Sequence, residues 1–463
     1  MATFSIQNFG CRATDADAAA LRSDLAAAGL TLVRDHAAAD VVVLNTCTVT
    51  TSADTQARDA VRKIHRTNPA AKIVVTGCYA QRAPEELAAL DGVACVVGNS
   101  HQSSIAGIVA EFPPLDRRAA SDGFVSLGSL DTEPMSLSRG PAKILTSDIF
   151  QQSAVQIAPL AERDGERTRP ILKIQDGCNN RCSYCVIPFV RGKSRSLAPD
   201  QVIAEVQNLV AAGAKEIVLS GINLGAYGRD FSPRVDLASV VRRILDETAL
   251  EQLRFSSIEP QDVTEDFVAL AASSPCIAPH FHVPLQSGSN NILKAMHRWY
   301  RAQHYAERIR LIRRVIPHAA IGADVIVGFP GETETDFDAT RELIESLPFT
   351  YLHVFSFSTR PGTAAASLSG RVNENTIHER ARILRALGRA KAGEFRRSQT
   401  AGVIRALTLA RRGHGYTEAL TGNYLKVRIA GDWPANQWFE AKLPAEESTT
   451  ATAVACGEVL QIA

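Results

Sequence analysis

Nine short apolar, β-branched runs recur along this chain with helical stretches between them, and that alternation limits the fold more than any other feature. Parallel strands need crossover helices, so continuous apolar strands alternating with helices give a parallel sheet covered on both faces. Three runs come first, Phe4–Gln7, Val41–Leu44 and Lys72–Val75, with helical stretches Asp15–Ala28, Asp54–Thr67 and Pro84–Leu90. They predict a parallel-sheet α/β domain over residues 1–110. Six more follow: Ile171–Gln175, Glu216–Leu219, Leu253–Ser257, His280–Leu285, Ile321–Val327 and Tyr351–Ser356. Pro199–Ala212, Val235–Asp246 and Arg301–Val315 are among the helices between them, and six βα units in a row predict a partial or complete β/α barrel over 170–400.

Residues 111–169, rich in Pro, Ser and Asp with little periodicity, read as a linker long enough to conceal short elements. Beyond the Arg-rich helix Glu374–Arg397, the runs Val403–Leu409, Tyr416–Leu420, Tyr424–Ile429 and Trp438–Leu443 are short strands with Gly and Asn turns between them. They predict a small all-β domain over 401–463.

A chain of 463 residues is too long for one core and should hold two to four domains. It has no run of eighteen apolar residues and no basic-then-apolar leader, so neither membrane span nor secretion signal is expected. In the cytoplasm that this implies, nine cysteines, an odd number, suit metals or catalysis better than disulfides. The net charge of +1 hides a basic stripe: Arg380–Arg412 holds ten Lys or Arg and one acidic residue, Glu394. Such a stripe is either the solvated face of a helix or a footprint for a polyanion.

Cys178, Cys182 and Cys185 form a C-x3-C-x2-C motif directly after the first predicted barrel strand, and loops after barrel strands lie at the catalytic face. Four thiolates would complete the ligation of an iron–sulfur cubane, whereas three leave one iron open. A zinc knuckle would need a second ligand pair and a bacterial ferredoxin run a different order. Cys11, Cys47 and Cys78 each follow the carboxyl end of one of the first three strands, where ligands gather in open α/β sheets. From spacing alone they are either a converging metal site or small buried hydrophobes. Cys95, Cys276 and Cys456 lack such settings and read as core or incidental.

With Tyr184 before its last cysteine, the C-x3-C-x2-C motif resembles that of radical S-adenosylmethionine (AdoMet) enzymes. Asn8-Phe-Gly-Cys11, Asn45-Thr-Cys47-Thr-Val-Thr and Thr76-Gly-Cys78-Tyr-Ala-Gln resemble the N-terminal cluster motifs of the methylthiotransferases. The C-terminal strands, with Gly415-Tyr-Thr-Glu and Asn423-Tyr-Leu-Lys-Val, resemble that family's RNA-binding TRAM module. The resemblance implies a flavodoxin-like first domain, a radical AdoMet partial (β/α)6 barrel and a TRAM-like end. It further implies two [4Fe–4S] clusters: an AdoMet cluster on Cys178, Cys182 and Cys185, and an auxiliary cluster on Cys11, Cys47 and Cys78 that carries the sulfur.

Motifs such as Arg191-Gly-Lys-Ser-Arg195-Ser, Ser256-Ser-Ile-Glu-Pro and Asp324-Val-Ile-Val-Gly-Phe-Pro-Gly-Glu look most like the branch acting on N6-threonylcarbamoyladenosine-37 of tRNA. Cys11-Arg-Ala-Thr departs from that branch's frequent Cys-Lys-Val-Asn. The isopentenyladenosine branch, the ribosomal-protein aspartate branch and a non-catalytic iron–sulfur RNA-binding protein are the alternatives. Candidate AdoMet contacts are Tyr184, Ser220, Gly221, Asn223, Glu259, Gln286, Ser287, Asp324 and Phe329. Asp324, inside an apolar strand, is expected either to pair with a base such as Arg298 or to face the ligand. Candidate RNA contacts are Arg191, Lys193, Arg195, Arg396, Arg397 and Lys426. Expected partners are the tRNA anticodon stem-loop, a flavodoxin- or ferredoxin-type electron donor and a sulfur source, with no membrane.

Overall fold

The computed structural model describes residues 2–112, 142–155, 168–400, 403–442 and 452–453. Most of the linker, Leu443 and Cys456 lie outside them. The chain forms two compact units: one runs to Gln152 and includes Val186–Gly192, and the other holds the remaining barrel and C-terminal residues.

In the first unit, six parallel strands β1 (Thr3–Asn8), β2 (Thr31–Leu32), β3 (Val41–Thr46), β4 (Lys72–Gly77), β5 (Val93–Gly98) and β6 (Lys143–Leu145) lie in the order β2-β1-β3-β4-β5-β6. Every residue of β3 is buried, because helices cover both faces of the sheet. Val42, Leu44, Ile73 and Val75 point to one core, with Val61 and Ile64 of the helix Thr51–Thr67. Val41, Val43 and Val74 point to the other, with Leu21 and Leu25 of the helix Arg12–Ala27. The chain reverses its winding between β1 and β3, the crevice where doubly wound sheets bind ligands. β6 lies in the predicted linker and extends this sheet past residue 110; three residues after a long aperiodic stretch gave no sequence signal.

In the second unit, β7 (Ile171–Asp176), β8 (Arg195–Ser196), β9 (Glu216–Gly221) and β10 (Gln252–Phe255) form one sheet in the order β10-β9-β7-β8. A second sheet contains β11 (His280–His282), β12 (Ala320–Val327) and β13 (Tyr351–Ser356). Parallel bridges Leu253↔Ile277 and Ser257↔His282 join the two sheets. The result is a six-stranded parallel half-barrel, β7-β9-β10-β11-β12-β13, with the antiparallel β8 at one edge. The C-terminal strands β14 (Val403–Gly413), β15 (Tyr416–Thr421), β16 (Lys426–Ala430) and β17 (Trp438–Lys442) pair antiparallel, and β18 (Thr452–Ala453) joins β16 in parallel. This sheet meets the starts of the barrel strands. Buried Arg254 donates to the Thr421 and Gly422 carbonyls and, at 2.7 Å, to Glu216 at the start of β9. Among the described residues no helix is long and apolar enough to cross a membrane.

Candidate active site

In the first unit the cysteine positions flank the crevice where the sheet reverses. Cys11 follows β1 at the cap position of the helix Arg12–Ala27, Cys47 follows β3, and Cys78 opens the turn after β4. Two glycines let these loops close in. A Cβ on Gly10, at φ +127°, would fall 2.6 Å from the Cys47 Cβ, and one on Gly77, at φ +98°, would fall 2.3 Å from the Thr46 carbonyl. Burial and the neighbouring Cys78 and Cys11 push the Cys47 thiol up to about 12. Burial likewise raises Cys78, opposed by Arg191. Arg191 Nε and Asn99 Nδ2 donate to the Cys78 sulfur at 3.3 and 3.6 Å. Hydrogen-bonded sulfurs that repel one another when ionised fit a shared cationic centre, and donors to the sulfur tune such centres.

Arg191 corrects its predicted role. It is 2% exposed and its guanidinium pairs at 2.6 Å with the buried Asp17, so it braces the cysteine crevice and cannot reach RNA phosphate. A buried charge needs such a partner.

In the second unit, Cys178, Cys182 and Cys185 occupy the loop after β7, each part-exposed. Asp176 at the end of that strand is clamped by Lys173 at 3.0 Å and Arg195 at 3.2 Å, and accepts from the Gly177 amide. Arg195, part-exposed and also donating to the Ala154 carbonyl, braces the loop. Ser183 ties the loop to the helix Asn290–Ala295 through the Ala295 and Met296 carbonyls. Arg298 pairs with Glu259 and donates to the Cys182 sulfur at 3.4 Å. Burial pushes the Glu259 carboxyl up against the pull of Arg298. Burial also raises Cys178, with the neighbouring Cys182 adding to it.

Asn223 lies near this loop, 4.0 Å from the Cys178 sulfur, with its amide N–H on Gln175 and its buried side-chain oxygen without a hydrogen bond. An orphaned acceptor beside the cysteines suits the ammonium of a ligand. A Cβ on Gly221 would crowd the Gln175 side chain, 2.9 Å away, and Ser220 is buried at the end of the same strand. Gln286, at φ +65°, stands beside β12 through its bridge to Val325. Ser287 departs from expectation: fully buried, it faces Thr340 on the outer helix Glu334–Ser346. Asp324 pairs with basic residues, one of its two expected settings, but these are His282 and His353 and not Arg298. Phe329 is fully buried in a cluster that includes Tyr184. Of the remaining basic candidates, Lys193, Arg397 and Lys426 are exposed and Arg396 is half-buried. Within the basic stripe, Arg380 is buried against Glu332 and Glu334, and Lys391 against two backbone carbonyls.

Residues 3–98 match the Uncharacterized protein family UPF0004, and 172–344 match the Radical SAM superfamily. Threonylcarbamoyladenosine tRNA methylthiotransferase MtaB of Aquifex aeolicus (strain VF5) is 36% identical over 92% of this chain and 96% of its own length. The protein of that name from Rickettsia prowazekii (strain Madrid E) is 33% identical over 95% and 94%. The chain belongs to the MtaB-type methylthiotransferase family. A relative of this family, the tRNA-2-methylthio-N(6)-dimethylallyladenosine synthase of Syntrophobacter fumaroxidans (strain DSM 10017 / MPOB), is 36% identical over 79% and 76%. Among solved structures, the radical S-adenosylmethionine methyltransferase TsrM of Kitasatospora setae has a TM-score of 0.55 at 17% identity, covering 79% of this chain and 77% of its own. That likeness shows the fold of a radical AdoMet enzyme.

Proposed function

We propose that this chain is a tRNA methylthiotransferase that inserts a methylthio group at C2 of N6-threonylcarbamoyladenosine at position 37, next to the anticodon. The carrying observation is likeness to methylthiotransferases of that name along nearly the whole chain. Cys178, Cys182 and Cys185 would hold the AdoMet-cleaving [4Fe–4S] cluster, and Cys11, Cys47 and Cys78 a second one. When bound, the first supplies the electron that cleaves AdoMet, and the second supplies the sulfur. Asn223, Glu259, Gln286, Ser220, Gly221 and Tyr184 are the AdoMet contacts of this reading. Arg298 holds Glu259 and Cys182 in register, while Asp176 fixes where the loop leaves β7. Lys193, Arg396, Arg397 and Lys426 meet tRNA phosphates. A flavodoxin- or ferredoxin-type donor and a sulfur source serve the enzyme in the cytoplasm.

The test is mass spectrometry of tRNA nucleosides from cells with and without the gene. Loss of the methylthio form of threonylcarbamoyladenosine on deletion supports the reading, and its persistence refutes it. Relatives that carry the dimethylallyladenosine name support a second reading; loss of the methylthio-dimethylallyl nucleoside instead would establish that one.

A further inference from the structure

The concave face of β11–β13 carries a polar column that the proposed AdoMet contacts do not use. Tyr424 stacks on His280 with ring centroids 4.3 Å apart, and the Tyr351 hydroxyl lies 2.8 Å from His280 Nε2 and 3.0 Å from His282 Nδ1. Gly322 makes room for this column, since a Cβ there would fall 2.0 Å from the Tyr351 ring. At its end, one carboxylate oxygen of Asp324 takes His282 Nε2 at 3.0 Å and His353 Nδ1 at 3.2 Å. Burial pushes the Asp324 carboxyl up, yet the bonds from the two imidazoles outweigh it and hold the carboxyl below the usual range.

This cluster is linked through its neighbours to the groups that brace the cysteine loop. The Asp324 carbonyl accepts from the Leu285 and Gln286 amides, and its carboxylate charge is felt at Glu259, whose partner Arg298 donates to Cys182. Ile326, the next inward residue of β12, packs in the group that includes Tyr184. The His353 side chain is 55% exposed and its Nδ1 is committed to Asp324, so Nε2 is the nitrogen it offers.

We propose that His282, Asp324 and His353 seat the polar substituent on N6 of the target adenosine, with His353 as the residue that sets specificity. This rests on the substrate reading above. A threonylcarbamoyl group carries urea N–H donors, a hydroxyl and a carboxylate, all of which need partners once they leave water. The Asp324 carboxylate as acceptor and His353 Nε2 as donor or acceptor supply them, while His282, held between Tyr351 and Asp324, fixes that carboxylate in place. A dimethylallyl group carries no polar atom, and would leave His353 Nε2 desolvated with nothing to pair with. A site built to hydrogen-bond its substrate rejects an analogue lacking those groups far more sharply than an apolar pocket distinguishes sizes. The same three residues have donor atoms within 4.8 Å of one another and could instead ligate a transition metal.

The test gives the cluster-reconstituted enzyme tRNA bearing either N6 group and measures the methylthio product. Wild type should prefer the threonylcarbamoyl substrate. His353→Leu should lower kcat/KM for it by roughly 10- to 100-fold, mainly through KM, with iron content and melting temperature unchanged. His353→Gln should recover part of the loss. A wild-type enzyme that works only on the dimethylallyl substrate overturns the substrate reading and the seat with it. A wild-type preference that His353→Leu leaves intact overturns the seat alone. So does one equivalent of zinc that survives chelation in wild type and is absent from His353→Leu, because these residues would then be metal ligands.

Discussion

Cys178, Cys182 and Cys185 hang on one loop, whereas Cys11, Cys47 and Cys78 arrive from three strand ends separated by whole βα units. The loop triad is part-exposed and braced from outside by Asp176, Ser183 and Arg298. In the sheet triad Cys47 and Cys78 are buried, and two glycines and an internal Arg–Asp pair keep the crevice closed. The difference teaches that a loop can bring ligands together by local sequence, while a sheet does so only through its overall register. The loop triad should therefore fail at its ligands, and the sheet triad also through mutations well away from sulfur.

The largest effects test the ligands themselves. Cys178→Ala should abolish formation of 5′-deoxyadenosine. Cys47→Ala should leave it running while methylthio insertion stops, both read by liquid chromatography and mass spectrometry. In each variant iron should fall from about eight to about four per chain. Loss of AdoMet cleavage in Cys47→Ala would collapse the division of labour between the triads.

The next effect belongs to the sheet triad alone. Asp17→Ala leaves the Arg191 guanidinium buried without its carboxylate, which costs about 3–5 kcal/mol. Denaturant unfolding should show that loss, together with weaker retention of the second cluster, because Arg191 also donates to Cys78. Replacing the part-exposed Arg195 in the loop triad should cost less. A smaller step is Gly77→Ala, which forces a Cβ against the Thr46 carbonyl at positive φ and should cost about 1–3 kcal/mol. An unaffected midpoint would mean that the turn before Cys78 can relax.

Much of this contrast was legible in the sequence because strand ends can be read from local runs, and all six cysteines of the two triads sit at such ends. The strands of the barrel followed from the same signal, with Tyr351–Ser356 matching to the residue. What stayed hidden depends on partners distant in sequence. Arg191 looked like a phosphate ligand because its neighbours are basic, yet Asp17 buries it from another βα unit. Asp324 showed as an anomaly in an apolar strand, but its partners sit on two other strands whose inward faces no local pattern reveals. Ser287 lies in the right motif and points to the wrong side, since one turn of backbone decides which face a side chain takes.

The smallest expected effect sharpens the comparison through pH. In cluster-free protein the Cys47 thiol is raised to about 12 from the roughly 8.5 of an unfolded chain, chiefly by burial. The folded state then binds this proton more tightly than the unfolded state does. Its contribution to stability is full below the unfolded value, and it disappears as pH rises through the folded one. Cys78 shifts in the same direction by the same cause. The apo protein should therefore lose stability from about pH 8.5 upward toward about pH 12. Cys47→Ser should flatten that slope, because a serine hydroxyl does not titrate there. Urea unfolding of wild type and variant at stepped pH reads the difference directly. An equal slope in both would mean that the sheet crevice opens to water when its cluster is absent.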